Sequence, residues 1–258
     1  MILSRYLIIF AFSMVIIIGC SNTNKSPDLE REAIIYQQNL EEIFDGNHFY
    51  VDYKYGKFSI VEIFDRNKKS AILYLHGRGL HPNEQNLAFP IRTEFSNKYN
   101  TYSIQLPVLK KLSTYYDYTN IFYDSDERIQ AAIKHILSKN EQLTIIAHSC
   151  GVHMLMSFVQ NEKLSEKISS VVLIGSGAVD KDQKLIYQYP YSKITVPMLD
   201  IYGEYDFNYV ISNANERKRQ IKRMNSKSRQ IQIKSSNHYH EDNSSELIAA
   251  VKKWLTSQ

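Results

Sequence analysis

Leu143-Thr144-Ile145-Ile146-Ala147-His148-Ser149-Cys150-Gly151-Val152-His153-Met154 is the stretch around which the chain is organised. It opens as an apolar, β-branched run, the pattern of a buried parallel strand. It then turns through Ser149 between two small residues, Ala147 and Gly151, and continues with Val152, Leu155, Met156 and Val159 at helical spacing. Strand, sharp turn with a central Ser, then helix is the pattern of a nucleophile elbow, in which small neighbours let the backbone turn tightly enough to hold a hydroxyl clear. Ala147 stands where Gly is usual, and it too lacks bulk. Such a pentapeptide is common by chance, so its meaning depends on what the rest of the chain supplies.

Outward from the elbow, the C-terminal two thirds alternate strand and helix. Ala71 to Leu75 reads as a strand running into His76-Gly77-Arg78-Gly79, followed by a helix over about Glu84 to Lys98 and a strand over Thr101 to Leu106. Pro107 to Tyr123 reads as a long irregular segment dense in Tyr. The acidic Asp124-Ser125-Asp126-Glu127 opens a helix that runs to about Ser138. After the elbow come a strand over Ser170 to Ile174, a connection of about twenty residues, and a strand ending in Ile201-Tyr202-Gly203. A basic helix over Val210 to Met224, a last strand over Gln230 to Ile233, a loop over Ser235 to His240 and a closing helix over Glu246 to Leu255 complete the chain.

Upstream, His48 to Tyr55 and Phe58 to Phe64 read as an antiparallel pair split by Gly56-Lys57. Leu29 to Phe44 reads as an amphipathic helix carrying Leu29, Ala33, Ile34, Tyr36, Leu40 and Ile43, ended by Gly46. The fold class predicted is α/β: a doubly wound, mostly parallel sheet with an antiparallel N-terminal edge. The connection from Ile174 to Val196 is too short for a large cap domain, which predicts an open pocket.

The chain has 258 residues, 43% hydrophobic and 22% charged, as a globular domain requires. A formal charge of +4 gives no footprint for nucleic acid. Nineteen Tyr beside one Trp point to amphipathic surface aromatics or an aromatic-lined pocket.

The N-terminus carries Arg5 and then an almost wholly apolar run, Leu7 to Ile18, short for a spanning helix and suited to a signal peptide. It ends in Ile17-Ile18-Gly19-Cys20, which resembles a bacterial lipobox. The resemblance implies cleavage after residue 19 and lipidation of Cys20, anchoring the protein in a bacterial cell envelope, facing the periplasm or exterior. Several acyl chains at about 0.8 kcal/mol per buried methylene hold a protein to a bilayer without a transmembrane helix. Residues 20–28 then serve as lipidated Cys and linker, and residues 29–258 as the folded domain, with the N-terminal helix at 29–44 and the core at 48–258. Cys150 is left without an intrachain partner, and its place just after the elbow turns it toward the helix.

Four motifs now stand in order: His76-Gly77-Arg78-Gly79, Ala147-His148-Ser149-Cys150-Gly151, Gly203-Glu204-Tyr205-Asp206, and His238 after the last strand. Across about Ser70 to Leu255 this resembles the α/β-hydrolase superfamily. Leu75-His76-Gly77-Arg78-Gly79-Leu80-His81-Pro82 with Leu106-Pro107-Val108 looks most like an uncharacterised bacterial envelope branch of it. Resemblance to that branch implies the fold but no substrate; the leading reading is a membrane-anchored, esterase-like serine hydrolase acting on a small-molecule or lipid-like ester, with no cofactor or metal expected.

The chemistry asks for the same residues. A Ser hydroxyl needs a base to take its proton as it attacks, and His has the suitable affinity. His238 lies on a loop that overhangs the elbow in this fold, and Asp206, just past the preceding strand, can fix its tautomer. The order Ser, Asp, His is the one this fold uses. The backbone N–H groups of Arg78 and Cys150 would cradle the oxyanion, each worth about 3 kcal/mol in the transition state.

Rivals stay open. Asp180 could supply the carboxylate, His240 could replace His238, and His238-Tyr239-His240-Glu241-Asp242 could be taken for a metal cluster. His76, His81 and His153 read as structural, His48 and His135 as surface residues. The band Arg217-Lys218-Arg219, Lys222-Arg223, Lys227 and Arg229 reads as a solvated helix face ahead of a lipid-headgroup contact. Tyr115, Tyr116, Tyr118, Phe122 and Tyr123 either wall the substrate site or pack on the body. Beyond an ester hydrolase, a catalytically silent binding or assembly lipoprotein and an amidase or peptidase acting on envelope material remain, because one fold serves many functions.

Overall fold

A computed structural model describes residues 25–258; the segment expected to be a signal peptide, Cys20 and the first part of the expected linker lie outside the described residues. Eight strands form one sheet in the order β1-β2-β4-β3-β5-β6-β7-β8. They are β1 (Asn47–Tyr53), β2 (Gly56–Ile63), β3 (Ser70–Leu75), β4 (Asn100–Ile104), β5 (Gln142–His148), β6 (Ile168–Ile174), β7 (Met198–Tyr205) and β8 (Arg229–Asn237). Only β2 runs against its neighbours, pairing antiparallel with both β1 and β4, so the edge is antiparallel and the body parallel.

The helices are α1 (Leu29–Glu42), α2 (Ala88–Phe95), α3 (Tyr115–Thr119), α4 (Phe122–Leu137), α5 (Cys150–Asn161), α6 (Asn208–Ser212), α7 (Ala214–Met224) and α8 (Ser244–Leu255). Alternate residues of each strand face opposite layers. Leu73 and Leu75 of β3 pack with α4 and α5, whereas Ile72 and Tyr74 pack with α2 and α8. A sheet covered on both faces explains why its central strands read as unbroken apolar runs. Among the described residues no helix is long and apolar enough to cross a membrane.

Several expected boundaries move, each for a local reason. The helix expected from Glu84 begins at Ala88, because the Glu84 carboxylate accepts the N–H groups of Asn86, Leu87 and Ala88 and so caps the turn before it. The segment expected to be irregular holds α3, closed by a reciprocal capping box between Thr114 and Asp117. The helix expected over Val210 to Met224 is broken at Asn213 into α6 and α7. The last strand extends to Asn237, beyond Ile233, because β7 shifts register between Gly203 and Tyr205 and meets it again at Tyr205–Asn237.

The N-terminal helix is turned opposite to expectation. Leu29, Ile34 and Leu40 are 59%, 53% and 45% exposed, while Glu32 and Asn39 are buried. Glu32 faces inward because the fully buried guanidinium of Arg128 lies 2.8 Å away, shared with Asp124 at 2.7 Å. A buried cation left without its carboxylates would be strongly destabilising, which outweighs the modest loss of exposing a few aliphatic side chains. Arg31 of the same helix donates to the carbonyls of Gly79 and Leu109. Gly46 does not end α1; it lies against the Glu62 carbonyl, where a Cβ would come within 2.4 Å.

Candidate active site

Ser149 sits between β5 and α5 at φ 53°, ψ −117°, a backbone conformation costly for any residue with a side chain. The turn is held by close packing. A Cβ on Gly151 would lie 2.5 Å from the Leu75 carbonyl oxygen and 2.6 Å from that of His76, so only glycine lets α5 start against the end of β3. Ala147, in place of the usual Gly, is fully buried in the ladder opposite Leu75 and Leu173, where a methyl group fits.

The structure brings Ser149, His238 and Asp206 together, although they lie on three separate loops at one edge of the sheet. His238 Nε2 is 2.8 Å from Ser149 Oγ, and its Nδ1 is 2.6 Å from Asp206 Oδ1. A carboxylate accepts only, so Nδ1 carries the proton and Nε2 faces the hydroxyl with its lone pair. Burial opposes ionisation of Asp206. The bond to His238, that imidazole's charge, and the N–H groups of Phe207 and Gly203 outweigh it and hold the carboxyl below its usual range. Phe207 stacks on His238 with ring centres 4.2 Å apart. Gly175, the residue after β6, stands at φ 62° against the imidazole, and a Cβ there would stand 2.7 Å from His238 Cε1.

The residue ahead of the nucleophile position has a task that the motif alone does not disclose. His148 is 1% exposed, and its Nε2–H donates to the His238 carbonyl at 3.0 Å. Burial, with the neighbouring imidazole, brings its affinity for a proton down to about 3, so it stays neutral. Its only signal in the sequence is its place in the elbow.

Arg78, Cys150 and Ser149 line one cleft with Gly77, Tyr115, His153, Val179, Phe207 and Tyr239. Cys150 is the first residue of α5, where the N–H groups have no carbonyl partner within the helix. Its thiol is buried and its pKa is pushed up to about 12, so it stays protonated and is no rival to Ser149.

The rival residues are occupied elsewhere. Asp180 forms a two-pronged ion pair with the Arg78 guanidinium, 2.7 Å at Nη2, and accepts the Tyr115 N–H at 2.6 Å. The charge of Arg78 therefore ties the loop after β3 to the segment after β6. His240 is fully buried and bonds the Ser236 hydroxyl at 2.7 Å, so His238 and His240 turn to different partners.

His76 accepts the Leu106 N–H at Nε2 and bonds the Gly77 carbonyl, fixing its loop. His153 packs, as its helical position predicts, and also lines the cleft, held between the Ala178 carbonyl at 2.6 Å and the Tyr189 hydroxyl at 2.7 Å. His48 and His135, expected at the surface, are half-buried, and Tyr36 packs on His48 at 4.3 Å. Arg217 leaves the basic band altogether, buried on Asp200 at 3.1 Å. Among the loop aromatics only Tyr115 lines the cleft. Tyr118 and Phe122 pack inside, and Tyr116 and Tyr123 are exposed.

No family model matches the chain, and no curated protein sequence matches it. Solved structures do. The esterase Pf2001 of Pyrococcus furiosus superposes with a TM-score of 0.64 at 15% identity, covering 85% of this chain and 94% of that one. Est1E of Butyrivibrio proteoclasticus gives 0.62 at 14%, covering 82% and 98%. The carboxylesterase CesB (YbfK) of Bacillus subtilis gives 0.62 at 14%, covering 89% and 98%. At such identities the likeness is one of fold, and the fold is the expected one, with its antiparallel edge and no large cap.

Proposed function

We propose that this chain, an α/β-hydrolase in fold, is a serine hydrolase of carboxylic esters, held at a bacterial cell envelope through a lipidated Cys20. The observation that carries the catalytic reading is the unbroken run of hydrogen bonds from Ser149 through His238 to Asp206 at the mouth of a cleft.

Ser149 Oγ attacks the ester carbonyl carbon while His238 Nε2 takes its proton. The carbonyl oxygen becomes an oxyanion, bonded by the N–H groups of Arg78 and Cys150. As the tetrahedral species collapses, His238 gives the proton to the departing alkoxide oxygen, leaving Ser149 acylated. A water then attacks, again losing its proton to His238, and the acid departs with Ser149 restored. Asp206 keeps the imidazole in the required tautomer and stabilises its charged form.

A fluorophosphonate probe tests this directly. It should label Ser149 in the wild-type protein and not in Ser149→Ala. Failure to label a folded wild-type protein would leave a silent binding domain as the reading.

A further inference from the structure

We propose that the ester this site accepts joins a short acyl group, of acetyl size, to a sugar or similar polyhydroxylated alcohol. This rests on the hydrolase reading above and narrows it to a substrate class.

The acyl side is set by space. The cleft directly over Ser149 is narrow, about 40 Å³ before it opens toward a wider groove, which favours an acetyl group over a six-carbon chain. Its Tyr115 wall is braced at both ends: the backbone N–H donates to Asp180, and the phenol accepts the Ile186 N–H at 3.2 Å. The His153 ring backs it at 4.5 Å and is itself held at both nitrogens. Packed side chains fixed in this way do not yield to a longer chain without loss.

The alcohol side is wide and polar. Arg78, Val179 and Phe207 line both the cleft and an open groove of about 850 Å³, so the two are continuous. Tyr209 lines that groove and also a further hollow of about 140 Å³, walled by Tyr189 and Tyr191. Aromatic faces alternate there with the amides of Gln188 and Asn208. Arg217, which lines the hollow, has Nε and Nη1 engaged and Nη2 without a partner among the described residues.

Charge is balanced along the way. Arg78 pairs with Asp180, Glu216 pairs with Arg219, and Lys181 adjoins Asp182. An anionic ligand would need surplus cations, and a fatty alcohol would need a continuous apolar trough. A neutral molecule with apolar C–H faces and many hydroxyls uses what is present. Hydrolysis consumes one water and releases acetate and the freed sugar hydroxyl.

The test uses the purified full chain with p-nitrophenyl acetate, butyrate and hexanoate, and with 6-O-acetylglucose, which keeps four free hydroxyls and a primary alkoxide leaving group, against ethyl acetate. kcat/KM should fall at least tenfold from acetate to hexanoate, and Tyr115→Ala should shrink that gap below about threefold. 6-O-Acetylglucose should exceed ethyl acetate at least tenfold, through KM, and Tyr209→Ala should erase most of that advantage. Equal turnover of acetate and hexanoate by the wild type would overturn the acyl half, and no preference for the sugar ester would overturn the other. If fluorophosphonate labels Ser149 while these preferences are absent, this inference fails alone. If it does not label, the hydrolase reading fails and takes the inference with it.

Discussion

The His148 imidazole donates to the backbone carbonyl of His238 across 3.0 Å, joining the turn at Ser149 to the loop that carries His238. Ser149 and His238 are thus held in place by this bond as well as by the sheet. His148→Ala should lower kcat by up to about 10²-fold with little change in KM, since misplacing a reacting group by about 1 Å costs that much. His148→Gln, which keeps an N–H donor, should recover part of the loss. Steady-state kinetics on p-nitrophenyl acetate would decide it, and equal, large KM changes in both variants would point to a disrupted cleft instead.

Ser149, His238 and Asp206 should behave as a unit. Ser149→Ala and His238→Ala should each cost on the order of 10³-fold or more in kcat, and the double variant should be little worse than either. Asp206→Asn should fold but lose activity by admitting the wrong tautomer. Asp180→Asn and His240→Ala should be milder, and multiplicative losses in the double variant would show that Ser149 and His238 act independently.

Gly175→Ala places a methyl 2.7 Å from His238 Cε1 at a positive φ. The imidazole must move, so activity should fall at least tenfold while circular dichroism stays native. Undiminished turnover would mean that the loop relaxes freely.

Acid should destabilise the fold from about pH 6.5 downward. Burial, first among the causes, lowers the pKa of His76 and His148 to about 3 and of His153 and His240 to about 4. The unfolded chain binds protons at these histidines below about pH 6.5, where the folded chain does not. Stability is therefore present above that pH and lost as pH falls toward the folded values, on the order of 1 kcal/mol per pH unit for each histidine. Asp206, with its folded pKa depressed, adds a further loss only below about pH 4. Urea midpoints measured from pH 7 to 4 should fall steadily; a flat profile would show these imidazoles to be solvated.

Cys20→Ser should leave the precursor unprocessed or release the protein from membranes. Intact mass of the membrane fraction reads this out, and a wild-type protein that retains residues 1–19 without added lipid would refute the anchor.

The local parts of this molecule were legible in its sequence and the distant ones were not. Ser149 and Gly151 share one turn, Asp206 follows the largely buried strand β7, and His238 follows the alternating Gln230-Ile231-Gln232-Ile233 of β8, so local pattern reading reaches all of them. Thr114 and Asp117 also carried a readable capping signal within a segment expected to be irregular. The inward turn of Glu32 depends on Arg128, 96 residues away, and no periodicity within α1 reports that partner. Asp180 is a plausible catalytic acid until Arg78, 102 residues earlier, is found to hold it. Long-range ion pairs override local apolar patterning because an unpaired buried charge costs more than an exposed leucine.

The fixing of α1 has a consequence for reach. Asp28 N–H bonds the Val108 carbonyl, and Arg31 grips the Gly79 carbonyl in the loop after β3. The chain is thus moored to the body from residue 28 onward. A lipid on Cys20 would leave roughly seven residues of tether, at most about 25 Å when fully extended. Such a protein would patrol a thin shell above its membrane: diffusing esters would come to it, whereas esters fixed to a polymer would be cleaved only where the polymer passes within that short radius.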